Sequence, residues 1–332
     1  MAAATDARSL FAIVRKGIDV RTVHAHVRKP FRFLLCGDPS LVTQLRTLLL
    51  SGHGEMTVPL EAAACLETVR MDAPVVTDPR EVRAAIFLGR GGDCAGADFS
   101  SLSVLRVPIL AVTLDPQGDP AGPAAPPAPG TWAEYVVPSI DAPGLRGRFF
   151  THLVECAGGV EIAVGRNLPV LRETVAAKLT RDAANNALKV ALASAVVDHI
   201  PLVGLVLGAF ASAGDMVAIT GIQVMLMLHI EAAYGRDPDL GRTWQLLPII
   251  GGGFGWRTLA RELVGFVPVA GIAIKGAIAY AGTIVVGEGV TFFYEHGDYM
   301  TKGQASALYE RTKADAMRVA RDILGKFRKK PF

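Results

Sequence analysis

The chain has few of the residues that usually mark a catalytic or metal site. Its four cysteines include no C-x-x-C pair, and its seven histidines show no H-E-x-x-H or clustered spacing. We therefore expect no metal, no disulfide framework, and thiols that stay reduced in the cytosol. Charged residues make up only 20% of the chain, whereas hydrophobic residues make up 51%. The hydrophobic excess lies in the second half and is larger than most soluble enzymes show.

Positive charge is concentrated at the two ends. Residues 1–32 carry seven Lys/Arg against two Asp, a net +5, and residues 302–332 carry nine Lys/Arg against three acids, a net +6. Basic flanks around an apolar region are what the positive-inside rule expects when both ends are cytoplasmic. The alternative is a pair of solvated amphipathic helices.

The first half alternates short apolar runs with helical segments. The runs expected to be strands are Phe31–Cys36, Ala84–Leu88, Val107–Thr113 and Tyr135–Val137. Helices are expected over residues 9–29, Leu41–Leu50 and Leu145–Cys156. This alternation predicts a parallel α/β sheet. Residues 115–130, which contain six prolines, are expected to form an extended or disordered surface loop.

From about residue 159 the pattern changes to helix after helix, over Glu161–Asn167, Val170–Leu179 and Asp182–Val197. The predicted fold class is therefore α/β followed by all-α. We expect four segments: an amphipathic helix over 1–30, a GTPase-like α/β domain over 31–158, a hydrophobic helical domain over 159–298, and a charged helix with a basic tail over 299–332.

The turn after the first strand stands where a P-loop GTPase carries G-x-x-x-x-G-K-[ST]. Here it reads GDPSLVTQ, from Gly37 to Gln44. The second glycine, the lysine and the final hydroxyl residue of the motif are replaced, and Asp38 would repel a phosphate. We therefore expect Gly37, Asp38, Ser40 and Thr43 to form a vestigial phosphate loop in a degenerate domain, with no cofactor and no catalytic residue.

The other guanine-nucleotide signatures are missing at their expected places. Thr113-Leu114-Asp115 stands where N-K-x-D would read guanine, and Ser139-Ile140-Asp141 stands where S-A-K is usual. Two alternatives stay open for this half. It is either a flavodoxin-like α/β domain without GTPase ancestry or a nucleotide-binding switch of atypical geometry.

Two long apolar stretches, Ile200–Leu228 and Leu263–Gly287, each contain one ionisable residue, Asp215 and Lys275 respectively. About 20 residues cross a bilayer, so each stretch is long enough to enter lipid. An unpaired charge at mid-bilayer disfavours a simple span, and the uncharged runs suit re-entrant or buried helices better. We expect membrane association without a fixed number of spans. The alternative is a soluble bundle or homo-oligomer that buries these helices.

The second half also carries a series of residues whose order and spacing are distinctive. In chain order they are Pro201, Asp215, Gln223, Tyr234, Gly235, Pro268, Gly271, Gly282 and Gly287. Over roughly residues 190–295 the chain resembles the bacterial YcjF-like, GTPase-associated domain of unknown function 697. Upstream, Arg166–Pro169 and Arg172 also resemble relatives in which that domain follows a GTPase-like domain.

This resemblance implies a place at the cytoplasmic face of a bacterial membrane, with no assigned catalytic residue. The expected partner is the membrane surface or bilayer, and a protein partner or a second copy is the other contact that the apolar helices suit. The basic tail, residues 326–330, suits anionic lipid, and we expect no nucleic-acid partner because no nucleic-acid module accompanies it. The expected function is a non-catalytic membrane-associated scaffold or adaptor with a pseudo-GTPase domain.

Overall fold

The computed structural model describes most of the 332-residue chain. The described residues are 17–53, 58–73, 77–197, 204–243, 246, 271–301, 303–304, 307–308, 311–312, 315 and 318–319. For residues 194–197, 204–216 and 271–275 only the backbone is described. Of the residues that carry the resemblance, Pro201 and Pro268 lie outside the described part.

The chain divides into two compact units. The first, here called the α/β unit, contains His24–Lys178 and Ala232–Arg236. The second, here called the helical unit, contains Leu179–Glu231 and the described residues from Asp237 onward. The division falls inside one helix, after Lys178.

The α/β unit alternates strands and helices. Its strands are β1 Arg32–Gly37, β2 Leu66–Thr68, β3 Val82–Arg90, β4 Ile109–Leu114 and β5 Trp132–Val137. Its helices are α1 Val20–Val27, which begins just before the unit, α2 Pro39–Leu49, α3 Leu60–Ala64, α4 Asp93–Gly96, α5 Ser100–Ser103, α6 Ala142–Leu145, α7 Arg148–Cys156 and α8 Glu161–Asn167. A 3₁₀ turn, Pro169–Leu171, follows α8.

The five strands form one sheet in which every pairing is parallel, in the order β2-β1-β3-β4-β5. In the register of the sheet, Leu35 lies opposite Ile86, and Val112 lies opposite Tyr135. This is the strand order of flavodoxin-type doubly wound folds. The predicted class, an α/β domain followed by helices, is confirmed.

The three central strands are buried along almost their whole length. Such near-continuous hydrophobic strands are typical of a parallel sheet whose two faces are both covered by helices. On one face Phe87 packs against Phe99 of the α4–α5 segment, with ring centroids 5.3 Å apart. Helix α2 buries Leu41, Leu45 and Leu49.

Four of the five strands overlap the runs predicted from the sequence, with ends shifted by at most three residues. The exception is β2, whose three residues, Leu-Glu-Thr, are too short and too polar to give a periodic signal. The helix predicted over Leu145–Cys156 is split, because Gly147 takes a positive φ of 88° between α6 and α7.

The proline-rich loop is tied to the edge of the sheet. Ala121 and Val136 of β5 exchange two backbone hydrogen bonds, of 3.1 and 2.9 Å, as an antiparallel bridge. This segment was expected to be extended or disordered; in the structure it is irregular, and the contact covers part of the open edge of β5. Covering an edge strand reduces its tendency to pair with another chain.

A buried polar pair links β5 to α7. The Tyr135 hydroxyl and His152 Nδ1 share a hydrogen bond of 2.8 Å, and both side chains are at least 95% buried. Burial lowers the pKa of His152; the negative charge of Glu155 opposes this shift, and the positive charge of Arg148 adds to it. The folded unit therefore favours the neutral imidazole.

The helical unit is built on long helices. They are α9 Arg172–Val197, whose first residues belong to the α/β unit, α10 Gly204–Ala233 and α11 Gly271–His296. Helix α9 joins two segments that were predicted as separate helices. Helix α10 runs without interruption through Asp215, and α11 runs through Lys275 to His296.

Helices α9 and α11 approach each other closely at two glycines. A Cβ added to Gly287 would lie 2.2 Å from Thr180 Oγ1, and one added to Gly276 would lie 2.8 Å from Leu188 Cδ1. Glycine is required at Gly287, because a methyl group there would overlap the β-branched Thr180 side chain up to its Cβ, whereas at Gly276 the ends of the facing leucine side chains would have to shift. The resemblance-carrying Gly287 is thus a packing residue.

Replacing Gly287 by alanine should destabilise the helical unit by about 1–3 kcal/mol, because the new methyl group overpacks against Thr180. The matched control is Gly221→Ala in α10, where an added Cβ meets nothing within 4 Å. That control should be neutral or stabilising by up to about 1 kcal/mol, through helix propensity. Urea unfolding measures both variants, and equal effects would contradict the close packing.

The neutral state of His152 predicts a pH dependence of stability. Because its folded pKa lies below its unfolded value of about 6.5, the unfolded chain binds the proton first as pH falls. Unfolding free energy should be flat above that pH and decline below it, by at most about 1.4 kcal/mol per pH unit from this group. His152→Gln should remove this part of the slope and the exposed-site control His24→Gln should not. Identical slopes in all three proteins would contradict the prediction.

Candidate functional site

The strand order indicates a candidate ligand site at the carboxyl ends of β1 and β3. In an open parallel sheet of this order the chain direction switches there, and ligands bind in the crevice outside the strand ends. Gly37 ends β1, Asp38 follows it, and Arg90 ends β3. The sequence-predicted vestigial phosphate loop therefore lies at the position where this fold class binds ligands.

The carboxylate of Asp38 occupies the amino end of α2. Its Oδ1 accepts hydrogen bonds from the backbone N–H of Ser40 at 2.8 Å and of Leu41 at 3.2 Å, and from the Ser40 hydroxyl at 2.6 Å. Free N–H groups at a helix start are the groups that bind phosphate in nucleotide sites. Here Asp38 takes the place of such an anion.

Arg90 reaches across from β3 to the same carboxylate. Its Nε donates to Asp38 Oδ2 at 3.1 Å, and a terminal nitrogen donates to Ser40 Oγ at 3.2 Å. The bonds from Ser40, Leu41 and Arg90 hold the pKa of Asp38 well below its ordinary value. The cluster of Asp38, Ser40 and Arg90 is here called the internal anion site. Its three residues are hydrogen-bonded to one another.

Gly37 is needed for the backbone geometry of this site. Its φ is +107°, and a Cβ there would lie 2.0 Å from the Leu88 carbonyl oxygen. The next residue, Asp38, donates its N–H to that same carbonyl at 2.8 Å. The glycine thus lets β1 turn tightly beside β3, and this accounts for the one motif glycine that the chain retains.

The remaining loop residue, Thr43, bonds within its own helix. Its hydroxyl donates to the Pro39 carbonyl at 2.8 Å. A cleft of about 440 Å³ opens beside it, between α2 and the carboxyl ends of β1 and β2. The two arginines that line this cleft are paired already: Arg46 donates to the carbonyls of Ala63 and Leu66, and Arg70 donates to Asp72.

The polar residues after β4 and β5 also bond locally. Asp115 accepts from the N–H groups of two residues in the following turn, and Asp141 caps α6 by accepting from Gly144 N at 2.7 Å. Ser139 donates to Asp141 at 2.8 Å. Buried Thr113 donates to Glu134 and lies 3.0 Å from the Cys94 sulfur. These groups, which stand where guanine would be read, are engaged with their own neighbours.

The thiols are not arranged for chemistry. Burial raises the pKa of Cys36 and Cys156 to about 12 and that of Cys65 to about 11. Thiols with raised pKa values are poor nucleophiles at neutral pH. Within the described ranges no group of three or more His, Cys, Asp or Glu side chains could hold a metal ion.

The structure brings several resemblance-carrying residues together within the α/β unit. The Arg172 guanidinium lies 5.9 Å from the centre of the Tyr234 ring, and Arg166 donates to the Arg236 carbonyl at 3.0 Å. Gly235 ends this segment with a φ of +84°. Two contacts therefore join segments that are about sixty to seventy positions apart in the sequence. Gly282 and Gly287 lie on α11, and Gln223 lies half-buried on α10.

One described helix segment, Gly276–His296, is long enough and apolar enough to cross a membrane by length and composition. Core helices of soluble proteins pass the same test, and 61% of its apolar window is buried inside the structure. It packs on α9, whose outer face exposes Arg181, Asp182 and Lys189. Each such charge costs about 2.5–3.5 kcal/mol at mid-bilayer, so this packed pair is unsuited to a simple span.

Comparison of the chain with models of protein families, with curated proteins and with solved structures finds no match.

The residues predicted for the loop, Gly37, Asp38, Ser40 and Thr43, lie at this edge of the sheet. Arg90 and its neighbour Asp93 also lie there and were not predicted. Asp93 Oδ2 accepts the Arg90 N–H at 2.7 Å. Arg90 was not predicted because β3 was expected to end at Leu88, before Gly89, whereas the strand continues to Arg90. A basic residue at the end of a central parallel strand is a candidate site residue in this fold class.

Replacing Asp38 by serine should open the internal anion site to a free anion. Serine retains a helix cap, while the lost carboxylate leaves Arg90 without its acidic partner. We expect inorganic phosphate to raise the melting temperature of Asp38→Ser by a few degrees more than that of the wild type, at matched ionic strength.

Two controls accompany this measurement. Asp141→Ser changes an acidic cap that accepts hydrogen bonds from Ser139 and Gly144 and, among the described residues, from no arginine. Asp38→Ser/Arg90→Gln removes the cation. Neither should gain a phosphate response. A wild-type protein that responds as strongly as Asp38→Ser would show that the carboxylate does not fill the site.

Proposed function

We propose that this chain is a non-catalytic, membrane-associated scaffold or adaptor, with an α/β unit that keeps the shape of a nucleotide-binding domain without its phosphate site. The observation that carries the proposal is the internal anion site. The Asp38 carboxylate accepts hydrogen bonds from the α2 backbone N–H groups that a phosphate would need. Arg90 neutralises the charge of that carboxylate. A nucleotide would have to displace this carboxylate and overcome its repulsion.

The membrane part of the proposal is supported by the composition of the helical unit and by the resemblance given above. Helices α10 and α11 are mostly apolar and have no distinct polar face, which is typical of helices enclosed by protein or lipid. The resemblance and the basic ends favour the cytoplasmic face of a bacterial membrane, with cytoplasmic termini. The process served and the protein partner are left open by this proposal.

A second candidate function, a nucleotide-dependent switch of atypical geometry, is favoured by one observation. The 440 Å³ cleft beside α2 is large enough to admit part of a small ligand. Its arginines are paired with chain atoms, which weighs against an anionic ligand. Millimolar GTP or ATP with Mg²⁺ would raise the melting temperature of the wild-type protein if this candidate were correct.

Fractionation of the untagged protein tests the scaffold proposal. We expect the protein in the membrane pellet, with release by detergent but not by high salt, because apolar helices rather than surface charge hold it there. As controls, the same fractions are probed for a cytosolic enzyme and for a known membrane protein. Recovery of the chain entirely in the soluble fraction as a sharp oligomer would contradict membrane association and favour burial of α10 and α11 between subunits.

A further inference from the structure

A second cleft lies where the strands begin, at the edge of the sheet opposite to the internal anion site. Its volume is about 500 Å³, which is within the range of roughly 300–1,000 Å³ for small-molecule sites. It is bounded by the segment that joins α1 to β1, by helix α3, by the residue before β3 and by the end of α8. All of its lining residues belong to the α/β unit.

The charged side chains that line this cleft are mostly basic. Four are cations and two are carboxylates, which leaves a net charge of +2. They are Arg28, Lys29, Arg32, Arg166, Glu61 and Glu81. Because an excess of one charge sign in a concave site focuses the potential, an anion is attracted to this position. The cleft is here called the basic cleft.

Two of these cations are available to an external anion. Arg28 is exposed, and among the described residues its side chain forms no hydrogen bond or ion pair. Lys29 donates to the carbonyl oxygen of Gly159 at 3.1 Å, which is a neutral acceptor and does not balance the lysine charge. Arg32 differs, since two carboxylates hold its guanidinium at 3.1 and 3.2 Å. The basic cleft thus contrasts with the internal anion site, in which a carboxylate of the chain is bonded to the arginine.

We propose that the basic cleft binds a phosphomonoester through Arg28 and Lys29. A phosphomonoester carries a charge of about −1.5 to −2 at pH 7, which matches the net charge of the lining. The fork of an arginine can hold two phosphate oxygens, and a lysine beside it acts as a point charge. The cleft is larger than a phosphate group needs, so the rest of the ligand contacts the apolar part of the lining, Val27, Pro30 and Ala64. Such binding does not depend on membrane association.

The same cations also lie at the ends of helices. Arg28 and Lys29 follow the last residue of α1, and Arg166 lies in the last turn of α8. Cations at these positions stabilise the partial negative charge of the last carbonyl groups, and that role needs no ligand. The two roles differ at Glu61, an exposed carboxylate at the start of α3. Because Glu61 repels a phosphate in the cleft, its removal strengthens binding of an anion there.

Isothermal titration calorimetry of the full chain in a mild non-ionic detergent tests the site, with sn-glycerol 3-phosphate as the probe and glycerol as the uncharged control. We expect a dissociation constant below about 1 mM for the wild type. Arg28→Gln should weaken binding at least about tenfold, because a charge-assisted hydrogen bond to phosphate is lost. Glu61→Gln should strengthen binding about threefold or more, because a repelling charge is removed. Lys189→Gln, which removes an exposed cation of α9, should leave the dissociation constant unchanged.

Vesicles show whether the phosphate belongs to a small molecule or to a lipid headgroup. Phosphatidic acid carries the same phosphomonoester as the soluble probe. Co-sedimentation compares vesicles of phosphatidylcholine alone with vesicles in which about one lipid in five is phosphatidic acid. For a lipid headgroup, Arg28→Gln should lose the preference for phosphatidic acid and Glu61→Gln should increase it. For a small molecule, only the soluble probe should respond to these variants.

This pattern of variants with either probe supports the site. Binding of a probe that is unaffected by both Arg28→Gln and Glu61→Gln would overturn it and assign the phosphate to another surface. No binding of either probe would also overturn it and leave the cations with their role at the helix ends. Arg28 is exposed, so its replacement should leave the fold intact, and circular dichroism checks this. Sedimentation with phosphatidylcholine alone reports the proposed membrane association, so the two proposals fail separately.

Discussion

One carboxylate organises the carboxyl-terminal edge of the sheet. Asp38 stands at the start of α2, where the backbone leaves N–H groups without helical partners, and any anion of suitable size would be stabilised there. Because the chain supplies that anion covalently, it is present at an effective concentration that a free nucleotide cannot match. Arg90 then balances the charge from the neighbouring strand, and Gly37 lets the two strand ends come close enough for the pair to form. The tight turn of β1 beside β3 and the capping of α2 by Asp38 are therefore products of the same local geometry.

The helical unit follows a different physical rule. Its long helices have no distinct polar face, so hydrophobic patterning cannot set their register, and close contact at small residues does so instead. Gly276 and Gly287 admit Leu188 and Thr180, and this fixes α9 against α11 along about eleven residues. With the register set, the Glu231 carboxylate of α10 accepts a hydrogen bond from Tyr294 of α11, and Glu288 of α11 pairs with Arg311. Short-range packing at glycine thus decides which polar groups meet along the long helices.

Much of the fold could be predicted from the sequence because the central strands are continuous apolar runs bounded by Gly and Pro. The three-residue β2 could not, since Leu66–Thr68 owes its place to pairing with β1 rather than to its own pattern. The candidate site was predicted in part. Asp38 and Ser40 are adjacent to a recognisable loop, whereas Arg90 is fifty positions away and is brought there only by the β1–β3 pairing. The predicted domain boundary near residue 158 stays a prediction, as do the membrane, partner and localisation assignments.

The most direct measurement of the central claim is the titration of the Asp38 carboxyl carbon by nuclear magnetic resonance, in the wild type and in Arg90→Gln. Bonds from two backbone N–H groups, the Ser40 hydroxyl and Arg90 all stabilise the charged carboxylate. We expect a pKa of Asp38 well below the ordinary value of about 3.9, and a rise in that pKa when Arg90 is replaced. An ordinary pKa that is unchanged by Arg90→Gln would mean that Asp38 is an ordinary surface acid and that the phosphate site is open.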